Sequence, residues 1–282
     1  MSSAPKPEVR SSNFFDADAA RRRCLGFRRR ILAVSQQVQA LHVAPAFSCM
    51  EITDAAYHGL IRRAGAPSDD TFLMSKGHGC LAQYVILEAL GVLSSDDLAA
   101  YCTPGGRLGA HPDYGTPGIE ASTGSLGHGM GMAVGMSYGD RLLGADRTVY
   151  AVFSDGEFQE GSTWEAMMMA ANLKLDRLVA FLDLNDFQGL GRTSESHPAF
   201  YPVLDKARAF GWEAVEVNGH DGLAIVEAVR GREASDRPLL VVCRTVKGKG
   251  VSYMENVPIW HYRSPSPEEY RQALAELQEI SG

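Results

Sequence analysis

Residues 148–157 read TVYAVFSDGE, and residues 178–188 read LVAFLDLNDFQ; each stretch is an apolar run that ends in polar residues. Continuous apolar runs of this length are typical of strands buried on both faces of a parallel sheet. The intervening residues 161–173 have helical character, so the sequence predicts a strand–helix–strand unit. Such a unit places Asp155 and Asn185 side by side at the carboxyl ends of two strands, where open α/β sheets bind ligands.

Asp155 and Asn185 carry the side-chain oxygens that a hard cation such as Mg²⁺ selects. Asp and Asn also cap turns after strands, and the two residues alone leave that structural alternative open. Two later apolar runs, residues 214–217 and 239–243, predict further strands with a helix over residues 223–232 between them. The order of elements therefore indicates the α/β class throughout.

The composition is that of an ordinary globular protein, with 45% hydrophobic and 22% charged residues. The net charge of −7 gives no reason to expect nucleic acid as a partner, and no apolar run approaches the length of a membrane span. The start of the chain lacks an apolar leader segment, and the cysteines have no paired spacing, which favours reduced thiols in the cytoplasm. The five cysteines are Cys24, Cys49, Cys80, Cys102 and Cys243.

The domain organisation predicted from the sequence is simple. Between residues 20 and 265 there is no linker and no compositional break, so residues 16–282 are expected to form one domain. Residues 1–15 are expected to be a flexible N-terminal arm, or an arm that packs on a partner.

The segments around Asp155 and Asn185 resemble the fingerprint of thiamine-diphosphate enzymes, which is Gly-Asp-Gly followed, after a spacer of similar length, by Asn-Asn. Ser154 replaces the first Gly and Asp186 replaces the second Asn; neither is a side chain that the family uses as a ligand. The resemblance implies thiamine diphosphate and Mg²⁺ as cofactors. Asp155, Asn185 and the backbone carbonyl of Phe187 would hold the Mg²⁺ against the diphosphate.

Four further segments resemble transketolase in order and spacing, and they are residues 75–79, 110–113, 122–129 and 247–261. The third of these, which we call the cofactor loop, is similar to the family's Thr-Thr-Gly-Pro-Leu-Gly-Gln-Gly. The resemblance runs from about residue 20 to about residue 275. It implies a thiamine-diphosphate-binding fold, in which a parallel sheet carries helices on both faces.

Histidines are the substrate-binding candidates. Imidazoles can donate hydrogen bonds to sugar hydroxyls and can move protons near neutral pH. The resemblance implies this role for His78, His111 and His261, because each lies in a loop that matches a substrate-channel segment of the family. His42 falls where the family has the histidine of its Gly-His-Pro-Gly-Gly segment, and it is the fourth candidate. His128 replaces a glutamine of the family in the cofactor loop, and its role stays open.

The resemblance also implies cofactor-binding residues. Glu160 is expected at a dimer contact, where it could pair with the activating glutamate of another protomer, and Glu165 is expected to cap or tether the helix beside the diphosphate. The alternative for both acids is a favourable position in the first turn of a helix. The remaining candidates are Gly124, Ser125 and Leu126 of the cofactor loop, and Gly156 and Glu157 through their backbone N–H groups.

The chain length of 282 residues matches only the first, diphosphate-binding domain of a transketolase. No segment resembles the pyrimidine-binding domain, which in this family carries the glutamate that activates the cofactor. The chain thus resembles the N-terminal subunit of a split, two-chain transketolase. Its expected partner is a C-terminal subunit with the pyrimidine-binding and C-terminal domains, in an α₂β₂ assembly. The expected reaction transfers a two-carbon ketol unit from a ketose to an aldose, both expected to be phosphorylated.

Two alternatives remain open from the sequence. The α subunit of a 2-oxo acid dehydrogenase shares the metal fingerprint and also needs a β partner, but it would lack His78, His111 and the 247–261 segment. A non-catalytic subunit that regulates a transketolase complex is the second alternative. The presence of Asp155, Asn185 and the candidate histidines argues against it.

Overall fold

The computed structural model describes residues 15–38, 41–62, 70–189 and 191–280. Its main sheet has five parallel strands in the order β1-β2-β3-β7-β6. These strands are β1 (Thr71–Met74), β2 (Val149–Ser154), β3 (Leu178–Leu184), β6 (Glu213–Asn218) and β7 (Leu239–Arg244). A separate antiparallel pair, β4 (Phe187–Gln188) and β5 (Gly191–Arg192), follows β3.

Helices surround the sheet, and most of them connect one parallel strand to the next. The α-helices are α1 (Ala17–Ser35), α2 (Val43–Ser48), α3 (Met50–Ala55), α4 (Cys80–Ala89), α5 (Ser95–Ala99), α6 (Gly129–Leu142), α7 (Gly161–Asn172), α8 (Thr193–Ser196), α9 (Val203–Ala209), α10 (Gly222–Arg230) and α11 (Pro267–Glu279). Helix α3 continues into a turn of π-helix at Ala56–Leu60. Short 3₁₀ turns lie at Gly77–Gly79, Glu157–Gln159, Pro198–Phe200 and Pro258–Tyr262. None of the described helices has both the length and the apolar character needed to span a bilayer.

Two apolar cores lie on opposite faces of the sheet. Because successive side chains of a strand point to opposite faces, Val152 and Phe153 of β2 belong to different cores. The first core joins the sheet to α1–α4, α10 and α11, and the second joins it to α6, α7 and α9. The predicted class, a parallel sheet with helices on both faces, is confirmed.

The strand–helix–strand unit is observed at the predicted place. Strands β2 and β3 pair in parallel with Ser154 opposite Asp183, and α7 lies between them in sequence. Asp155 and Asn185 therefore both leave the sheet at its carboxyl edge. Strand β1 and helix α2 were not predicted from the sequence.

The N-terminal arm proposed for residues 1–15 lies outside the described residues except for Phe15. The Phe15 ring is buried and packs against Gly59 and Gly222.

Strand β6, at one edge of the main sheet, carries charged side chains. Its Glu213 pairs with Arg232 and its Glu216 pairs with Arg244, at 2.7 and 2.9 Å.

Helix α6 begins in very close contact with the end of β1. A Cβ atom added to Gly129, the first residue of α6, would overlap Ser75 Oγ and would lie 2.5 Å from Ser75 Cβ. Glycine is therefore required here for the close approach of the helix to the loop after β1. Gly135, two turns further along the same helix, is exposed, and an added Cβ would meet nothing within 4 Å.

We expect Gly129→Ala to lower the free energy of unfolding by about 1–3 kcal/mol, because the added methyl overpacks the contact with Ser75. Gly135→Ala is the matched control, and its free energy of unfolding should rise by about 0.5–1 kcal/mol through helix propensity. Urea unfolding followed by circular dichroism measures both. Equal effects of the two substitutions would show that the contact at Gly129 is unimportant.

Candidate active site

Asp155 lies immediately after β2 and is completely buried. Its Oδ1 accepts a hydrogen bond from the Gly156 N–H at 3.1 Å, and its Oδ2 accepts one from the Thr193 hydroxyl at 3.4 Å. Burial raises the pKa of the Asp155 carboxyl to about 7, and the negative charge of Asp183 adds to the shift. Among the described residues Asp155 has no ion-pair partner, so this buried carboxylate is suited to a bound cation.

Asn185 follows β3, and hydrogen bonds fix both ends of its carboxamide. The amide nitrogen donates to Ser48 Oγ at 3.0 Å and to Asp183 Oδ2 at 3.3 Å. The carbonyl oxygen accepts from the Phe187 N–H at 3.0 Å. The sheet thus brings the three residues predicted to be metal ligands, Asp155, Asn185 and Phe187, to the ends of two neighbouring strands.

No group of three His, Cys, Asp or Glu side chains in the described ranges could hold a metal ion. A cation at Asp155 would therefore depend on neutral oxygens, such as those of Asn185 and the Phe187 carbonyl, and on oxygens of a bound cofactor. Such a set of carboxylate, amide and carbonyl oxygens suits Mg²⁺, which usually binds through one or two carboxylates plus substrate phosphates. The donor chemistry fits the predicted cation.

Glu157 connects the cofactor loop to the end of β1. Its Oε1 accepts hydrogen bonds from the Ser75 hydroxyl at 2.6 Å and from the Gly127 N–H at 3.2 Å, while no described group bonds Oε2. Burial raises the pKa of Glu157 to about 7. The backbone N–H groups of Gly156 and Glu157, predicted to face the diphosphate, already have partners in Asp155 Oδ1 and Ser154 Oγ.

The other cofactor candidates lie around the same loop. Gly124 has a φ of +123°, and a Cβ atom added there would lie 2.7 Å from the His111 ring, so only glycine fits. The exposed His128 turns back on its own loop, with Nδ1 3.2 Å from the carbonyl oxygen of Ser125 and 3.3 Å from that of Leu126.

Neither acid near the start of α7 caps that helix through its side chain. Glu160 occupies the N-cap position but makes no side-chain cap hydrogen bond. Glu165, which was expected to cap or tether the helix, is exposed in its second turn. Glu160 lines the cavity described below.

All four predicted histidines lie together, with His42 at the centre. The ring of His42 has its centroid 5.7 Å from that of His78, 5.6 Å from that of His111 and 5.5 Å from that of His261. His78 and His261 are 5.4 Å apart. His42, the weakest match in the sequence, is thus the residue that the other three surround.

The histidine rings are held in their neutral forms. Burial, followed by the neighbouring His261, lowers the pKa of His42 to about 3. Burial, followed by Lys247, lowers the pKa of His261 to about 4. Burial also lowers the pKa values of His78 and His111. Nδ1 of His42 is buried and has no hydrogen-bond partner in the described chain.

Two buried lysines border the histidine cluster, and sequence reasoning singled out neither. Lys76 donates to the Asp183 carboxylate and, at 3.1 Å, to the Pro45 carbonyl. Lys247 Nζ lies 2.9 Å from His261 Nδ1 and 5.1 Å from the centre of the Phe187 ring, and it has no ion-pair partner among the described residues. Burial and then the charge of Lys76 lower the pKa of Lys247 to about 8. A bound anion would compensate this charge.

A cavity of about 480 Å³ connects the two halves of the site. Gly156 and Phe187 line it at the strand ends, His78 and His261 line it at the histidine cluster, and Leu126 of the cofactor loop lies between them. A ligand in this cavity would have Gly156, the residue after Asp155, at one end and the imidazoles of His78 and His261 at the other.

Fold and site together define an α/β enzyme whose ligand binds at the carboxyl ends of parallel strands. The chain belongs to the transketolase family: residues 27–271 match the family described as transketolase, thiamine diphosphate binding domain. The predicted family is confirmed, and this match favours it over the 2-oxo acid dehydrogenase alternative.

Similar proteins agree with the prediction of a split enzyme. The chain is 37% identical over 257 residues to a protein of Phocaeicola vulgatus named as an apulose-4-phosphate transketolase subunit, covering 89% of this chain and 91% of that protein. It is 37% identical over 243 residues to the 6-deoxy-6-sulfo-D-fructose transketolase subunit SqwG of Clostridium sp. (strain MSTE9), covering 84% of this chain and 88% of that protein. The length of this chain is therefore that of a separate transketolase subunit.

Solved transketolase structures share the fold. The structure from Leishmania mexicana is 25% identical with a TM-score of 0.86, over 94% of this chain and 42% of that one. The structure from Campylobacter jejuni is 26% identical with a TM-score of 0.84, over 92% of this chain and 43% of that one. The described fold thus corresponds to less than half of these longer enzymes.

The lowered pKa of His42 predicts a pH dependence of stability. Its pKa is about 3 in the fold, against the ordinary 6.5, so the unfolded chain binds the proton first as the pH falls. The stability that neutral His42 contributes is present above about pH 6.5 and is lost as the pH drops toward 3. Between pH 6 and 4.5, wild type should lose on the order of 1 kcal/mol per pH unit more than His42→Gln.

Unfolding in urea across this pH range measures the difference, and His197→Gln is the control because His197 is exposed. Parallel stability curves for wild type and His42→Gln would contradict a neutral His42.

Proposed function

We propose that this chain is the diphosphate-binding subunit of a two-chain transketolase, which transfers a two-carbon ketol unit from a ketose to an aldose. One observation supports this most directly. The residues on either side of Asp155, a buried carboxylate without a counter-ion among the described residues, line the same cavity as His78 and His261 of the histidine cluster.

Thiamine diphosphate, when bound, supplies the carbanion chemistry of ketol transfer. In our proposal, Asp155, Asn185 and the Phe187 carbonyl hold Mg²⁺, which neutralises the buried charge of Asp155. Lys247 lies against His261 and Phe187, two residues that line the cavity. It would offer a positive charge to the diphosphate. Gly124, Ser125 and Leu126 of the cofactor loop would help to hold the cofactor.

The histidines act on the sugar. Ketol transfer requires that a proton leave the C3 hydroxyl of the donor and later return to the aldehyde oxygen of the acceptor. A neutral imidazole can accept such a proton or donate a hydrogen bond, whereas an imidazolium can only donate. The lowered pKa values of His42 and His261 keep these rings neutral at neutral pH, so they can accept the proton. We propose that His42, or His261 beside it, accepts and returns this proton. His78 and His111 would position the sugar hydroxyls.

The partner is the second part of the proposal. Two similar proteins are named as transketolase subunits, which supports a companion chain here. That chain would supply the pyrimidine-binding domain and the activating glutamate, in an α₂β₂ assembly, with Glu160 at the contact. A cytoplasmic location fits the five cysteines, all of which are free.

The names of the similar proteins also suggest a class of substrate. Both names specify a ketose with an anionic group, a phosphate in one case and a sulfonate in the other. We propose a phosphorylated or otherwise anionic sugar for this enzyme.

Asp155→Ala should abolish Mg²⁺-dependent binding of thiamine diphosphate, because a small oxygen set loses its one anionic ligand. His111→Ala is the contrasting variant, which should lower turnover about 10²- to 10⁴-fold while cofactor affinity stays within a factor of about three. Calorimetric titration of the assembled complex with cofactor, at fixed Mg²⁺, measures the affinities. Unchanged affinity in Asp155→Ala would remove this residue from the metal site.

The isolated chain should have no ketol-transfer activity and should gain it when mixed with the companion chain. The chemistry of the bound cofactor would need an activating carboxylic acid and walls that exclude water, and we expect the companion chain to supply both. A steady-state assay with and without the companion tests this. Strong activity in a preparation shown by mass spectrometry to contain only this chain would overturn the two-chain proposal.

A further inference from the structure

Asp183 is a completely buried carboxylate near the carboxyl end of β3, in an otherwise apolar strand. It accepts hydrogen bonds from four side chains, which come from four different places in the sequence. Ser48 Oγ donates at 2.7 Å and Asn185 Nδ2 at 3.3 Å, and the other donors are Lys76 Nζ and Thr245 Oγ1. Every donor belongs to a segment that borders the proposed active site.

The ion pair of Asp183 with Lys76 is an inefficient way to stabilise a fold. Both side chains are fully buried, and taking two charges out of water costs several kcal/mol per ion. Apolar residues of similar volume often stabilise such a position equally well. We therefore expect this pair to position neighbouring groups, of which Asn185 is hydrogen-bonded to Asp183.

The Asp183 carboxylate oxygen Oδ2 accepts a hydrogen bond from the NH₂ end of the Asn185 carboxamide at 3.3 Å. This interaction directs the carbonyl oxygen of Asn185 to the opposite side. There the oxygen accepts from the Phe187 N–H at 3.0 Å and keeps a second lone pair for a ligand. Lys76, in turn, donates to the Asp183 carboxylate and holds it in place.

The same carboxylate also sets the positions of the segments around the histidines. Lys76 is two residues before His78, and its ammonium also bonds the Pro45 carbonyl, three residues after His42. Thr245 is two residues before Lys247. One buried group thus joins the segments that carry the metal candidate Asn185, two histidines and the second buried lysine.

We propose that Asp183, held by Lys76, is a positioning residue that fixes the orientation of the Asn185 carboxamide so that its oxygen faces the cation. This inference rests on the proposed function, because it assumes a cation at Asp155 and Asn185. Hydrogen-bond partners of metal ligands typically change metal affinity by 10- to 100-fold when they are removed.

The test replaces the ion pair with apolar residues of similar size in the complex with the companion chain. The variant Lys76→Met/Asp183→Leu should remain folded, with a melting temperature without cofactor within about 5 °C of wild type. Its dissociation constant for thiamine diphosphate, titrated at several Mg²⁺ concentrations, should rise about 10- to 100-fold. The Mg²⁺ concentration required for half-maximal binding should rise with it.

Ser48→Ala is the second variant and measures the contribution of the other acceptor of the Asn185 amide. It leaves the ion pair intact but removes one of the two groups that accept from the Asn185 amide. We expect it to weaken Mg²⁺-dependent cofactor binding by about 3- to 10-fold, which is less than loss of the whole cluster. A purely structural role would change the melting temperature without changing the Mg²⁺ dependence.

The outcomes separate the two proposals. If a folded double variant binds cofactor with the wild-type Mg²⁺ dependence, the positioning role of Asp183 is wrong. If Lys76→Met/Asp183→Leu does not fold, a second apolar pair, Lys76→Leu/Asp183→Val, is held to the same outcome. If the wild-type complex itself shows no Mg²⁺-dependent cofactor binding, the proposed function is wrong and this inference falls with it.

Discussion

The parallel register of β2, β3 and β7 is the constraint on which the site depends. It places Ser154 opposite Asp183, and Asp183 opposite Cys243, so three chain segments leave the sheet at one level. The segments that follow carry Asp155, Asn185 and the loop to Lys247. A shift of one residue in the pairing register would move every side chain of a strand to the opposite face of the sheet. The two apolar cores prevent that shift, so the packing of the sheet also fixes the geometry of the site.

Electrostatics distinguishes the two ends of the cavity. The strand-end side combines a buried carboxylate with neutral oxygens, whereas the other side has crowded imidazoles beside two lysines. Because the lysines and burial oppose protonation, His42 and His261 stay neutral and can either accept a proton or donate a hydrogen bond. The site therefore offers partners to both a cation and an anion. Family membership agrees with this arrangement.

Much of this could be predicted from the sequence, because local pattern carries the information. An apolar run that ends in Asp155 specifies both a buried strand and the place where it stops. His42 was found because its position matches that of the histidine in the family's Gly-His-Pro-Gly-Gly segment. By contrast, Lys76, Asp183 and Lys247 were missed, since their roles arise from contacts between segments far apart in sequence. One signal was available, because Asp183 interrupts a run of apolar residues and a buried strand does not tolerate an unpaired charge.

The acidic edge of the sheet has a consequence of a different kind. An unprotected edge strand is a template for pairing with strands of other molecules, and charged side chains are one way in which proteins prevent this. Glu213 and Glu216, each neutralised by an arginine of the same molecule, lie along the exposed border at β6. A protein that is made separately from its companion must persist in solution before assembly. Protection of this edge lowers the risk that newly made copies aggregate through their sheets during that interval.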